Sequence, residues 1–387
     1  MPDAARMIID KLYENGYEAY IVGGCVRDAL LSKIADDYDI TTNALPEDVK
    51  RIFERTVDTG IKHGTVTVIC DGTPFEVTTY RVDGEYIDMR HPKGVTFTGR
   101  LTDDLARRDF TVNAIAYNDR EGIVDAFGGI SDLECGIIRA VGDPEVRFSE
   151  DALRILRGIR FASVLGFLIE DATANAIRRL AKNLTKVSKE RIFVEWKKLL
   201  SGENAYKIIK EYFDVIKVFL PGARELSVSE ENFMALSPDL RALALFAYDG
   251  GIDAFGCAAA DLKMDSRTRD DGEAILKSLS LPSPSDSRAL RRYLINKEDR
   301  IAISSATLAE RLGLCEVGAA GEICRLIDKD VIRRINQLDI GGRDIMTLGI
   351  KGEAIGRALN FLLLAAALGD VENEREALLE YASQKFT

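Results

Sequence analysis

The sequence predicts an α+β protein: a small head built on a mixed or antiparallel sheet, followed by an elongated, all-helical remainder. Three observations carry this. Residues 1 to about 140 alternate short β-branched runs with turns and two helices. A strong hairpin signal, Asp71-Gly72, lies between Ile61 to Cys70 and Thr73 to Arg81. After Asp143-Pro144 the pattern changes to periodic apolar positions separated by Arg, Lys and Glu, and strand-like runs disappear.

Taken in order, Glu18 to Val22 reads as a strand that runs into Gly23-Gly24, after which Val26 to Leu31 continues as a helix. Glycines there let the backbone approach a bound group, and a helix start offers free N–H donors to phosphate. Asp37 and Asp39 follow on the next predicted strand, two residues apart, so both carboxylates leave one face. Either feature alone is commonplace, as a plain turn or a solvated strand face. Their order and spacing suit two divalent cations shared with a triphosphate, which is the chemistry of nucleotidyl transfer. Gly24 and Arg27 would then contact the triphosphate, Arg27 through its fork of donors. Glu76, on the alternating strand after the hairpin turn, is the candidate third carboxylate, although a single exposed Glu on a strand needs no such role.

Next comes a polar loop with Gly and Pro, Arg81 to Pro92, and then Ala106-Arg107-Arg108-Asp109-Phe110-Thr111-Val112-Asn113-Ala114. The latter is two cations and two hydrogen-bonding side chains entering an apolar run, which in isolation reads as a capped element end. Val124 to Gly129 reads as a final strand and turn. In Glu150 to Phe161, Arg154, Arg157 and Arg160 recur every three residues and form a slowly winding helical stripe, either a solvated face or a functional one. Ser188 to Arg191 opens an amphipathic run through Trp196, with Ser188 suited to an N-cap. Joints are expected near Gly142 to Pro144, Ser201 to Asn204 and Leu281 to Ser285. Gly349 to Gly356 reads as a tight turn between packed helices, with a weaker echo of helix-hairpin-helix backbone binding.

Composition narrows the function. At 387 residues the chain has room for two to four domains. Its opening residues carry Asp3, Arg6 and Asp10, unlike a secretory signal, and its longest apolar run, Leu359 to Leu368, is too short to span a bilayer. No membrane association and a cytoplasmic location are expected. Six scattered cysteines read as reduced, mostly buried thiols. Two histidines, His63 and His91, leave no basis for a His-Asp metal phosphohydrolase, a His–His zinc motif or Ser-His-Asp hydrolysis. The net charge of −11 argues against unspecific coating of nucleic acid, while Arg139 to Arg191 forms a locally basic zone suited to a structured RNA.

These motifs resemble the nucleotidyltransferase head of the DNA polymerase beta superfamily, and more narrowly the class II tRNA nucleotidyltransferases (CCA-adding enzymes) and related bacterial poly(A) polymerases. The resemblance is strong over about residues 15 to 195 and looser beyond, where Gly342-Arg343-Asp344 and Leu348-Gly349-Ile350 echo the family's tail. It implies a head at 1–140, a nucleotide-reading neck at 141–205, a body at 206–300 and a tRNA-binding tail at 301–387. It implies two Mg²⁺ on Asp37 and Asp39, Arg108 as a nucleotide contact, and Asp109 with Asn113 on the ribose side. Asp151 and Arg154 would read the base, accompanied by Arg157 and Arg160. An acceptor beside a donor matches cytosine and adenine and mismatches uracil and guanine. The segment at Ser188 would buttress the reading helix, and the loop Arg81 to Pro92 resembles one associated with adding the terminal A, with His91 where arginine is usual.

The implied activity is template-independent addition of CCA to tRNA from CTP and ATP, with pyrophosphate released. The implied partner is tRNA, held by its acceptor arm and elbow; DNA is not expected. Competing expectations are an A-only or CC-only specialist, a poly(A) polymerase (less suited, because the chain ends acidic from Asp370 to Glu380) and a non-catalytic RNA-binding relative.

Overall fold

A computed structural model describes residues 1–35, 37–84, 94–329 and 331–386. The chain divides into two compact units, Met1–Pro221 and Gly222–Thr387. The first is α+β and the second helical.

The first unit is organised by a seven-stranded mixed sheet. Its strands are β1 (Ala19–Val22), β2 (Asp39–Thr42), β3 (Thr56–Gly60), β4 (Thr65–Cys70), β5 (Thr73–Thr79), β8 (Ile115–Asn118) and β9 (Gly122–Asp125), in the order β3-β4-β5-β2-β1-β8-β9. Of these neighbours only β2 and β5 are parallel. A separate two-stranded ladder, β6 (Arg81–Asp83) with β7 (Val95–Phe97), forms the stem of the Arg81 to Pro92 loop; residues 85–92 of that loop lie outside the described residues.

The expected hairpin forms because Asp71 (φ 50°) and Gly72 (φ 78°) both take the positive φ that a two-residue connection needs. Two details differ from expectation. Ile61–His63 is a 3₁₀ turn, so β4 starts only at Thr65, and β2 starts at Asp39, which leaves Asp37 in the preceding connection. Alternation does the rest: Ile40, Val66, Val68, Phe75 and Val77 point to one buried face. The other face carries Asp39, Thr67 and Glu76.

The helices of this unit are α1 (Asp3–Glu14), α2 (Gly24–Leu30), α3 (Pro46–Ile52), α4 (Leu101–Ala106), α5 (Gly129–Cys135), α6 (Pro144–Glu150), α7 (Leu153–Leu165), α8 (Asp171–Leu180) and α9 (Lys189–Leu200), with two more before Pro221. Asp143 caps α6 by accepting from the Glu145 N–H at 2.8 Å, with Pro144 pre-set at its first position. Ser188 occupies the N-cap position of α9, but its hydroxyl makes no cap hydrogen bond. Strand structure does not end at Pro144: Leu168–Ile169 pairs in parallel with Ile137–Ile138. Fully buried Phe110, from the segment after α4, meets Phe148 of α6 (6.4 Å) and Phe161 of α7 (5.8 Å, edge to face). That contact ties the sheet to α6 and α7.

In the second unit the apolar run Leu359 to Leu368 lies in the helix Glu353–Leu368, and Leu362, Leu363 and Ala367 are fully buried in its core. The turn expected over Gly349 to Gly356 is shorter: it ends at Gly352, and Gly356 lies inside that helix. No helix among the described residues is long and apolar enough to cross a membrane. The cysteines are free, but only Cys25 is buried, and Cys135 and Cys257 are exposed, so thiol burial is far less general than expected.

Candidate active site

The carboxylate end of the site follows from strand register. Val22 pairs with Asp39, and Ile40 pairs with Val77, which sets Glu76 beside Asp39 on the adjacent parallel strand. Asp37, Asp39 and Glu76 are all exposed. Partial desolvation nonetheless raises the pKa of Asp39, the Arg108 guanidinium pulls it back, and the Asp37 charge raises it further. Glu76 is raised by desolvation and by the charges of Asp39 and Asp37. Three mutually repelling carboxylates on an open surface are the type of oxygen donor that hard divalent cations prefer. Among the described residues no three ligating side chains already close into a cage. That suits a metal held by one or two carboxylates and completed by substrate phosphate oxygens.

Beside them lies the glycine turn. Gly23 has φ 81°, ψ −129°, a conformation only glycine adopts readily, and a Cβ there would come within 3.1 Å of Arg108 Nη1. Gly24 opens α2. The Arg27 guanidinium donates to Asn113 Oδ1 at 2.7 Å and to Asp28 Oδ1 at 2.8 and 2.9 Å. Arg108 Nη2 donates to Asp104 Oδ2 at 3.3 Å, and its Nε has no partner among the described residues. Backbone N–H groups and two guanidiniums therefore converge one strand away from the carboxylates.

A continuous polar network leads from this turn to α7 and α9. Asn113 donates to Asp109 Oδ1 (3.1 Å), Arg157 Nε donates to Asp109 Oδ2 (2.7 Å), and Arg160 Nε donates to Glu195 Oε2 (2.9 Å). Arg157 also approaches Glu195 at 3.5 Å. The guanidiniums of Arg27, Arg157 and Arg160 gather about the Phe161 ring, at 5.2, 5.3 and 3.5 Å. Burial is the largest single influence on the Asp109 carboxyl and pushes its pKa up, but Arg157, Asn113 and Arg154 together outweigh it and lower the pKa to about 2. The arginine stripe is therefore not a solvated face: Arg154 is buried, and Arg157 and Arg160 are engaged by carboxylates.

Asp151 and Arg154 stand together where α6 meets α7. Asp151 Oδ1 accepts from the Leu153 N–H (3.0 Å), and Oδ2 accepts from Arg191 Nη2 (2.6 Å). Arg154 donates to Glu150 (2.6 Å) and to the carbonyls of Arg147 (3.1 Å) and Arg107 (2.9 Å). These bonds fix both side chains. Each carboxylate oxygen keeps a further lone pair, and Arg154 Nη2 keeps a further N–H, for a ligand.

Two residues central to this arrangement carry no motif signal. Asp104, with no exposed surface, accepts from Thr41 Oγ1 (3.2 Å), Arg107 (2.7 and 2.9 Å), Arg108 (3.3 Å) and the Arg81 N–H (3.4 Å). It joins β2, the loop stem and the guanidinium over the glycine turn. Burial opposes its charge, yet Arg107 and Arg108 hold its pKa below the ordinary value. Glu195 in the same way gathers Arg157 and Arg160, through ion pairs. An acid three residues before Arg107, or one immediately before Trp196-Lys197-Lys198, looks like any helical ion pair; only the tertiary partners distinguish it.

Two outcomes follow. Asp104→Asn is expected to weaken triphosphate binding about tenfold and to lower stability by about 2–4 kcal/mol, because a buried charge pair loses one member; nucleotide titration and urea unfolding check both. Asp109 has a depressed folded pKa, so its contribution is present above the unfolded value and is lost as pH falls from about 5 toward 2. Unfolding at pH 6 and pH 3 should differ by about 1 kcal/mol more in the wild type than in Asp109→Asn.

The chain matches the poly A polymerase head domain family over residues 19–139, and a family described as a probable RNA and SrmB-binding site of polymerase A over 166–225. It is 37% identical to the CCA-adding enzyme of Ligilactobacillus salivarius, covering 98% of this chain and 96% of that one. A CCA-adding enzyme of Leuconostoc mesenteroides is 36% identical over the same shares. Among solved structures, the Bacillus stearothermophilus CCA-adding enzyme in complex with CTP superposes with a TM-score of 0.79 at 33% identity, covering 100% of this chain and 98% of that one. The Thermotoga maritima CCA-adding enzyme complexed with tRNA shares the fold, with a TM-score of 0.69 at 23% identity, covering 99% of this chain and 94% of that one.

Proposed function

The chain belongs to the CCA-adding enzyme family, and on that premise we propose how its residues carry out the reaction. It is a nucleotidyltransferase that adds C and A to the 3′ end of tRNA from CTP and ATP. The RNA 3′-hydroxyl attacks the α-phosphate, the bond to the β-phosphate breaks, and pyrophosphate leaves. Poly(A) synthesis is the less favoured reading, since the relatives that span the whole chain add CCA. The residue roles that follow are our assignment.

The observation that carries the assignment is the alignment of the glycine turn, Asp39 and Glu76 at one end of adjacent strands. Asp37 and Asp39 would hold Mg²⁺, with Glu76 as the third carboxylate. Bound there, Mg²⁺ supplies Lewis-acid activation of the 3′-hydroxyl and neutralises charge on the departing pyrophosphate. The backbone at Gly24 and the guanidiniums of Arg27 and Arg108 bind the triphosphate. Asp109 and Asn113 orient the ribose side, with Asn113 fixed between Arg27 and Asp109. Asp151 and Arg154 read the base edge, and Arg157 and Arg160, locked by Asp109 and Glu195, keep α7 in place. Residues 1–140 form the head and 141–205 the neck that contributes the base reader. The body, 206–300, and the tail, 301–387, grip the acceptor arm and elbow of tRNA by shape and backbone. Acting on tRNA, the chain would work in the cytoplasm.

Supplying one labelled triphosphate at a time tests the selection rule. CTP alone should add two residues to tRNA that lacks CCA, and ATP alone should add one residue to tRNA ending in CC. UTP and GTP should add nothing; their efficient incorporation would refute the assignment of Asp151 and Arg154.

A further inference from the structure

An in-line displacement sets the entering oxygen and the leaving group on opposite sides of the phosphorus. Strand order turns this into a direction across the sheet. The glycine turn and Arg27, which take the triphosphate, lie at the end of β1. Asp39 lies on β2, Glu76 on β5, and beyond them come β4 and β3. Pyrophosphate leaves toward β1, so the RNA terminus must enter from the β5–β4–β3 side.

The open face on that side is lined by hydroxyls. Thr67 lies directly across from Glu76 in the β4–β5 register, so their Cβ atoms are about 5 Å apart. Thr67 Oγ1 and Thr59 Oγ1 of β3 share one hydrogen bond at 2.8 Å. Thr67 is 8% exposed and Thr59 is exposed. Two hydroxyls sharing one bond keep one proton and several lone pairs between them. Thr65 and Thr78 repeat the arrangement further along, at 3.0 Å. Beside Thr67, opposite it on β3, Val57 is 47% exposed and adds an apolar patch. A neutral donor–acceptor pair next to a carboxylate suits a sugar hydroxyl, whereas a bare phosphate there would face the charge of Glu76.

We infer that the Thr59–Thr67 pair receives the 2′-hydroxyl of the RNA's terminal ribose and so distinguishes RNA ends from DNA ends. The inference rests on the nucleotidyl transfer proposed above and adds to it a specificity determinant for the primer. The 2′-hydroxyl is the group by which a protein tells the two sugars apart. One net hydrogen bond corresponds to about a five- to tenfold preference.

The test is A addition, by the full-length protein, to tRNA ending in CC whose last residue is either ribo or 2′-deoxy. Both ends keep the 3′-hydroxyl. The wild type should prefer the ribo end about five- to tenfold in kcat/KM. In Thr59→Val and in Thr67→Val the ratio should fall toward one, because the ribo end drops to the level of the deoxy end. Valine keeps the shape and the strand preference, so ATP binding should be unchanged and reports an intact fold. Thr59→Val is the safer of the two, since that side chain is exposed. Thr67→Ser should restore the preference. A wild type indifferent to the sugar, or variants that lose rate equally on both ends, would overturn the inference and leave CCA addition standing. A wild type that extends neither end would overturn the activity itself.

Discussion

Asp39→Ala is expected to lower nucleotide addition by about 10³-fold or more, the scale of losing a principal electrostatic element of a transition state. Binding of tRNA should be unchanged, because the contacts proposed for its arm and elbow lie elsewhere. The substitution should not destabilise the fold. Asp39 makes no side-chain hydrogen bond or ion pair among the described residues, and its charge repels Asp37 and Glu76, so stability should stay level or rise slightly. Single-turnover extension, tRNA binding and thermal unfolding of the same preparation separate these effects. Addition within tenfold of the wild type would remove Asp39 from the catalytic centre, and lost tRNA binding would point to a structural role.

The second large effect concerns selectivity. Asp151→Asn replaces an oxygen acceptor with an N–H₂ donor on a side chain held by the Leu153 N–H and Arg191. The amide oxygen can keep the bond to Leu153, which turns the nitrogen toward the base and inverts the pattern it reads. Preference for CTP over UTP should fall by about 10- to 100-fold, equivalent to roughly 1–3 kcal/mol of mismatched hydrogen bonding. The comparison to make is kcat/KM for the two triphosphates on one tRNA. Equal losses for both would mean that Asp151 only caps α7.

Much of this centre was legible in the chain. Gly-Gly between a strand and a helix, with Asp39 opening the next strand, is local chemistry, and register carried Val22, Asp39 and Glu76 to one end of the sheet. The Asp71-Gly72 hairpin was equally local. The arginine stripe was legible only as a stripe. Its state depends on Asp109, 48 residues from Arg157, and on Glu195, 35 residues from Arg160, and these bury it as paired charge. Asp104 was invisible for the same reason, because its worth lies in gathering Thr41, Arg81, Arg107 and Arg108 from separate segments. Position on an element was misread at Asp37, where the strand begins two residues later than alternation suggests.

The most direct test of the central claim is extension of tRNA that lacks CCA, with CTP and ATP supplied together and the product sequenced at its 3′ end. Growth by C, C and A in that order, followed by a stop, is the expected result. Long A tails, or no incorporation by a folded, nucleotide-binding protein, would contradict it.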